Sequence, residues 1–439
     1  MFEKTGSNWL KSVLNHFKRV RSIKVTTKRL KRNIVKAIWK IIEESGTVRN
    51  LAVPNNELRS WCRSVQRDNS SIKLRPLYLK NLKKDKVDVG QYASNKIFEK
   101  FNSYMVNATQ RYESGCKLNN SHEALALSNI MLIAESNDYN ISENDWTEYK
   151  NKLKRPDGFV PVQQNEKTTV SKIVKDYSLT VLKDSSTLNR IMSKYKSETS
   201  ECVKSCLEIL KQIGSGVKLW GTYEQTKEED LFLTSFVDTM LINPLFQDLP
   251  PKVQRHGNGH SLKESRLRKI RQAKKNEDNL KGWKGRAPDR SLELQFDKKL
   301  SYHVFLCEVK TGSSSRKHPD LAKLGTMLKD LIDFAIENGA ESGYYVTGLL
   351  VEGLACTLYK VSKPAPKLYH MESIHSFNLP VKVSELEKLD SVLEFLMLSK
   401  YMINVSCRQL MAADKANMKE QDSVVNTNYS PSIYADYYV

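Results

Sequence analysis

The sequence predicts an α+β fold of the α/β sandwich type: a mixed central sheet flanked by helices, preceded by a mainly helical N-terminal region. Three observations predict it. Residues 304–309 (Val-Phe-Leu-Cys-Glu-Val) are apolar apart from Glu308, the pattern of a strand covered on both sides. Residues 319–338 place Leu321, Leu324, Leu328, Leu331, Ile332, Ala335 and Ile336 at helical spacing. Residues 344–351 and 354–361 are apolar runs about Glu352-Gly353, the signature of a hairpin.

The 439-residue chain is long enough for two or three domains. Its net charge of +20 makes a polyanion the expected partner, ahead of an anionic membrane surface. The polar start lacks the apolar core of a secretory signal, and no apolar run reaches bilayer length. Seven scattered cysteines, an odd number, argue for reduced thiols and a nuclear or cytoplasmic location. Cys202 and Cys206 read as ordinary helix positions.

Residues 1–50 form a basic segment, with a helix expected near 30–44. It reads equally as a nuclear-import signal, a nucleic-acid arm or a solvated helix face. Residues 51–215 read as mainly helical, with helices at 92–112, at 122–135 and after Ser142, an N-cap for a helix carrying Trp146 and Tyr149. Residues 73–86 are basic with interleaved leucines. From Thr226 a helix is expected that ends by Asn243-Pro244, with Thr226 and Glu229 as a capping box. Residues 252–286 read as a basic connector for phosphate contacts, through Arg266, Arg268, Lys269, Arg271, Lys274, Lys275, Lys284 and Arg286. His256 and His260 stand there at metal-like spacing. No partner ligand is evident from sequence and glycines flank them, so the spacing reads as a turn. Strands follow at 290–296 and 302–309, then the helix, the hairpin and a strand at 368–377. Residues 381–412 read as a C-terminal helix and 413–439 as a disordered tail.

Glu308 and Lys310 lie two apart on one strand and so share a face, which Val309 does not. Ionised groups in so apolar a strand are costly unless paired, solvated by a cleft or bound to a cation. Pro288-Asp289 opens the preceding strand. Other Pro-Asp pairs, at 156–157 and 319–320, lie in turn-like or helical text.

This pattern, Pro288-Asp289 followed by Glu308-Val309-Lys310, resembles the PD-(D/E)XK motif of the restriction-endonuclease-like superfamily. Residues 216–380 are similar to its nuclease core, and to a group of uncharacterised fungal proteins of that type. The resemblance implies a Mg2+- or Mn2+-dependent nuclease acting on DNA, with homodimerisation an option. Asp289, Glu308 and the Val309 carbonyl would hold the ion, and Lys310 would position the attacking water. Glu229 matches an acid that some members supply from the first core helix, with Glu228 its rival. Two other readings stand beside it: a catalytically silent nucleic-acid-binding or scaffold protein on the same fold, and a helical interaction protein. His303, His318 and His370 read as ordinary polar or packing positions.

Overall fold

The structure is a computed structural model that describes residues 96–417, with breaks at 115, 117, 136, 154–157, 181–184, 196–199, 221–228, 276–283, 297–299, 312–318, 342 and 366. The chain divides after Asn81, and every described residue belongs to the second unit, Leu82–Val439. The expectations for residues 1–86, Thr226, Glu228, His318 and the tail from 418 therefore lie outside the described residues, whereas 413–417, expected in the disordered tail, are the last turn of the helix Leu389–Asn417.

A seven-stranded mixed sheet organises the described chain. Its strands are β1 (Ile130–Ile133), β2 (Val253–His256), β3 (Arg290–Gln295), β4 (Ser301–Lys310), β5 (Tyr345–Glu352), β6 (Ala355–Ala365) and β7 (Leu368–Asn378). Their order across the sheet is β1-β7-β6-β5-β4-β3-β2. The β4–β5 and β1–β7 pairs are parallel and the others antiparallel. The α+β expectation holds at this level.

The helices are α1 (Lys96–Glu113), α2 (Ser121–Ala126), α3 (Glu143–Lys152), α4 (Gln164–Thr180), α5 (Ser185–Lys194) and α6 (Glu201–Trp220). They continue with α7 (Glu229–Phe232), α8 (Asn243–Phe246), α9 (Lys263–Lys275), α10 (Pro319–Glu337) and α11 (Leu389–Asn417). Between α7 and α8 the backbone runs as a π-type helix, Leu233–Ile242. Pro244 therefore does not end the helix: it sits in the first turn of α8, where its missing N–H costs nothing. Ser142 caps α3 as expected, its Oγ accepting the Asp145 N–H at 3.2 Å.

Helix α10 crosses between the parallel strands β4 and β5 and packs on both, while α11 packs on β4, β5 and β7. Gly348 of β5 allows α10 to approach, since a Cβ there would lie 2.7 Å from Leu328 Cδ1. Gly325 does the same on α10 against Leu125. Side chains from α4, α6, the π segment and α11 join those of the sheet in one continuous core. The helical region before residue 215 shares this core and also supplies edge strand β1.

Further elements depart from the sequence expectations. The helix expected at 122–135 is α2 followed by β1: Asn129 has φ of 60°, which ends the helix, and the buried run Ile-Met-Leu-Ile pairs with β7. The connector 252–286 contains β2 and α9. The high charge of the connector hid the apolar positions Val253 of β2 and Leu262 just before α9, which join the core.

His370 of β7 is buried, as expected of a packing residue, stacked on Phe98 at 6.0 Å and 3.0 Å from the Tyr149 hydroxyl. Burial, with the nearby Lys360 charge adding to it, holds its imidazole down at about 3. The folded state thus keeps His370 neutral while the unfolded chain takes up a proton below its ordinary value of 6.5. Its stabilising contribution is present above that value and lost as pH falls through the window toward 3. In urea titrations between pH 7 and 4, wild type is expected to lose about 1.4 kcal/mol per pH unit more than His370→Gln below about pH 6. Parallel curves would show that this group does not set acid stability.

Candidate active site and a second polar cluster

Asp289 occupies the bend before β3. Its N–H donates to the Cys307 carbonyl at 3.1 Å, and its Oδ2 accepts the Val309 N–H at 2.7 Å. The carboxyl is thereby fixed against β4 beside Glu308. Glu308 is 1 % exposed, and its Oε2 accepts from Lys323 Nζ of α10 at 2.6 Å. Its Oε1 is buried with no hydrogen-bond partner among the described residues. Burial pushes the Glu308 carboxyl up to about 8; Lys323 opposes that rise, and the Asp289 and Asp320 charges add to it. Lys310 ends β4 half-buried, two residues on from Glu308 and hence on its face. Asp289, Glu308 and Lys310 thus lie at one end of the β3–β4 pair, with the Asp289 charge acting on Glu308.

Lys323 and Asp320, both on the first turns of α10, were missed. The Pro319-Asp320 pair lies in helical text, and only the crossover connection from β4 to β5 brings that turn back over the strand end. Glu229 is the first residue of α7. The acid of this helical run that meets strand β3 is Asp238, whose two oxygens accept from Arg290 Nε and Nη2 at 2.8 and 2.7 Å. A bidentate guanidinium pair of this kind is a strong, directional contact. Arg290 follows Asp289 by one residue, so Asp238 serves the opposite face of the sheet from Glu308.

Compared with known families, curated proteins and solved structures, the chain matches none.

The basic connector is only partly exposed. Arg268 is buried, with Nε 2.6 Å from Asp330 and Nη2 bonded to Asp333, both on α10. It is an internal ion-pair residue, a correction to its expected nucleic-acid role. Arg271 Nη1 binds Glu337 at 2.6 Å, and Lys269 Nζ donates to the Lys284 carbonyl at 3.1 Å. Arg266 and Lys284 are exposed, and Arg286 is half-buried. Lys274 and Lys275 belong to α9, whose inner face is turned toward α10.

A second cluster lies further along the same strands. His256 of β2, His260 of the turn after it, Glu293 of β3 and His303 of β4 place one potential ligand atom each within 4.8 Å of one another. The partner ligands that the sequence did not reveal come from the β3–β4 register. Leu292 pairs with Phe305 but Glu293 pairs with His303, so a bulge skips Val304. Directly paired residues share a face: Glu293 stands on the face of Glu308 by alternation along β3, and the skip turns His303 to it. His303 is a buried polar position, as expected, with its Nδ1 3.0 Å from Glu264 Oε1.

Proposed function

We propose that this chain is a divalent-cation-dependent nuclease whose site comprises Asp289, Glu308 and Lys310, with Lys323 and Asp320 of α10 beside them. The observation that carries the reading is Glu308 itself: a fully buried carboxyl keeps one oxygen without a partner among the described residues, with the charges of Asp289 and Asp320 nearby. Hard cations such as Mg2+ take oxygen ligands, so this donor set fits one. Asp289 and Glu308 would hold it, with the Val309 carbonyl adjacent, and the ion would supply charge stabilisation to phosphoryl oxygens. The chain's own part is positional. The Val309 N–H orients Asp289, Lys323 orients Glu308, and Lys310 offers a cation on the same face for a phosphate oxygen or the attacking water.

The strand sequence β3, β4, crossover α10, β5 and hairpin partner β6 agrees with the restriction-endonuclease-like core that the motif resembles, with β2 and α9 inserted before it. Exposed Arg266 and Lys284 extend the basic surface a nucleic acid would meet. No helix among the described residues is long and apolar enough to cross a membrane.

A catalytically silent binding module on the same fold is favoured by one observation: Glu308 Oε2 and Asp289 Oδ2 already have partners in Lys323 and the Val309 amide. Supercoiled plasmid incubated with Mg2+ separates the two. Nicking by wild type is expected to fall at least about 100-fold in Asp289→Asn and in Lys310→Ala. Retention of plasmid by all three with no nicking would favour the silent module, and equal nicking by all three would remove the assigned site.

A further inference from the structure

We propose that His256, His260, Glu293 and His303 bind one late first-row divalent cation, Zn2+ by their ligand chemistry, which fastens edge strand β2 and the turn after it to β3 and β4. The four side chains come from three strands and a turn, yet their ligand atoms lie within 4.8 Å of one another. Metal–ligand arms of about 2.0–2.1 Å put tetrahedral ligands roughly 3.3 Å apart, so closure asks for side-chain adjustment and not for backbone rearrangement. Three imidazoles and a carboxylate suit zinc far better than magnesium.

His303 supplies the independent sign of a ligand. Its Nδ1 lies 3.0 and 3.1 Å from the two oxygens of Glu264, which also accepts its main-chain N–H. A carboxylate on Nδ1 fixes the tautomer that leaves Nε2 with its lone pair bare, as in carboxylate–histidine–metal arrangements. That Nε2 is buried and has no hydrogen-bond partner among the described residues. Such a nitrogen carries a desolvation cost that a bound cation removes.

The orientation of Glu293 agrees. Ser301 Oγ donates to its Oε1, with Lys263 Nζ 3.6 Å away, so Oε2 is the oxygen turned to His256 Nε2 at 2.8 Å. A plain His–Glu hydrogen bond accounts for that one pair. It does not account for His260, whose ring lies face to face with His256 at 3.8 Å, or for the bare nitrogen of His303.

With four protein ligands the centre is coordinatively closed, which marks a structural and not a hydrolytic site. It is separate from the proposed nuclease site: His303 and Glu308 are five residues apart on β4, about 15 Å along the strand. Glu264 lies in the first turn of α9, so the ion would also set where that basic helix leaves the sheet.

The test uses the full chain, stripped by a chelator and titrated with Zn2+ or Co2+. Expected are about one Zn2+ per chain, a Zn2+-dependent rise in Tm, and intense visible Co2+ bands of tetrahedral type. His256→Ala with His260→Ala, both partly exposed, should weaken binding by at least about 100-fold, and Glu264→Gln by about 10- to 100-fold. Glu308→Gln, in the other site, should bind Zn2+ as wild type does. Absence of Zn2+ uptake at micromolar metal, a weak octahedral Co2+ spectrum in wild type, or undiminished binding by the double variant would overturn the proposal. The wild-type spectrum decides the matter should a variant fail to fold. Zinc retained alongside lost plasmid nicking would leave this centre standing without the nuclease reading.

Discussion

Glu308→Gln is expected to abolish Mg2+-dependent nicking and, above neutral pH without Mg2+, to leave the protein more stable than wild type. Both effects come from one buried charge. The folded carboxyl sits at about 8, above its ordinary 4.5, because burial and two neighbouring acids outweigh Lys323. A raised acid makes its full relative contribution to stability below the unfolded value. That contribution is lost as pH rises through 4.5 toward the folded value. At about 1.4 kcal/mol per unit, the penalty at pH 9 is on the order of 3–5 kcal/mol. Gln keeps the shape and carries no charge to desolvate, and Lys323, 28 % exposed, can turn to solvent. Thermal unfolding between pH 5 and 9 should therefore show wild type declining and the variant flat, the curves crossing near neutrality. A cation at the carboxylate restores the balance, so Mg2+ should raise the Tm of wild type at pH 9 and not that of the variant. A variant less stable than wild type at every pH would mean that the Lys323 pair outweighs the desolvation of Glu308. The site would then be a structural ion pair. A group that costs stability in isolation and gains it with ligand is the pattern of a functional site.

What could be read from the sequence followed the length of the signal. Strand β4 was visible because its apolar run spans a whole buried strand, and Glu308 and Lys310 were legible as two charges that such a run does not tolerate casually. The face they share follows from the two-residue period alone. Strand β1 has four residues and follows a short helix, so helical periodicity carried across it. The π segment was invisible because its apolar residues suit either helical period. For Arg268, Arg271 and Lys269, a count of charge reports density but not direction. In a helix one arginine can face the solvent while another, two positions on, faces an acid of the next helix. The His/Glu cluster was hidden by a single residue. Glu293 and His303 oppose each other only because the β3–β4 register slips at Val304, and an unbulged hairpin would pair Glu293 with Val304 and turn His303 away.

The same direction problem leads to the other large effect, at Asp333 of α10. Asp333→Ala is expected to cost about 3–5 kcal/mol in urea denaturation at pH 7, close to the limit for a single substitution. Its carboxylate, 2 % exposed, accepts from Arg268 Nη2 of α9, from Lys363 Nζ of β6 at 3.1 Å and from the Tyr369 hydroxyl of β7 at 2.5 Å. Two cations and a phenol on three elements thus converge on one acid. Asp330 offers Arg268 a second carboxylate at 2.6 Å. Removing Asp333 strands Lys363 among Arg268 and buried surroundings that already hold its ammonium down at about 8, burial being the larger cause. The loss is that of an uncompensated buried charge and not of one hydrogen bond. Asp333→Asn keeps an acceptor for Tyr369 and the packing, so it should recover part of the stability. Lys363→Met removes the stranded charge along with its partner's demand, so in the Asp333→Ala background it should restore more than it costs in wild type. Additive single and double variants, or an Asp333→Ala loss under about 1 kcal/mol, would show that solvent reaches this network. If the coupling is found, α9 is held to α10 from beneath by Arg268, and its outward residues present their charge from a fixed helix and not from a free basic arm.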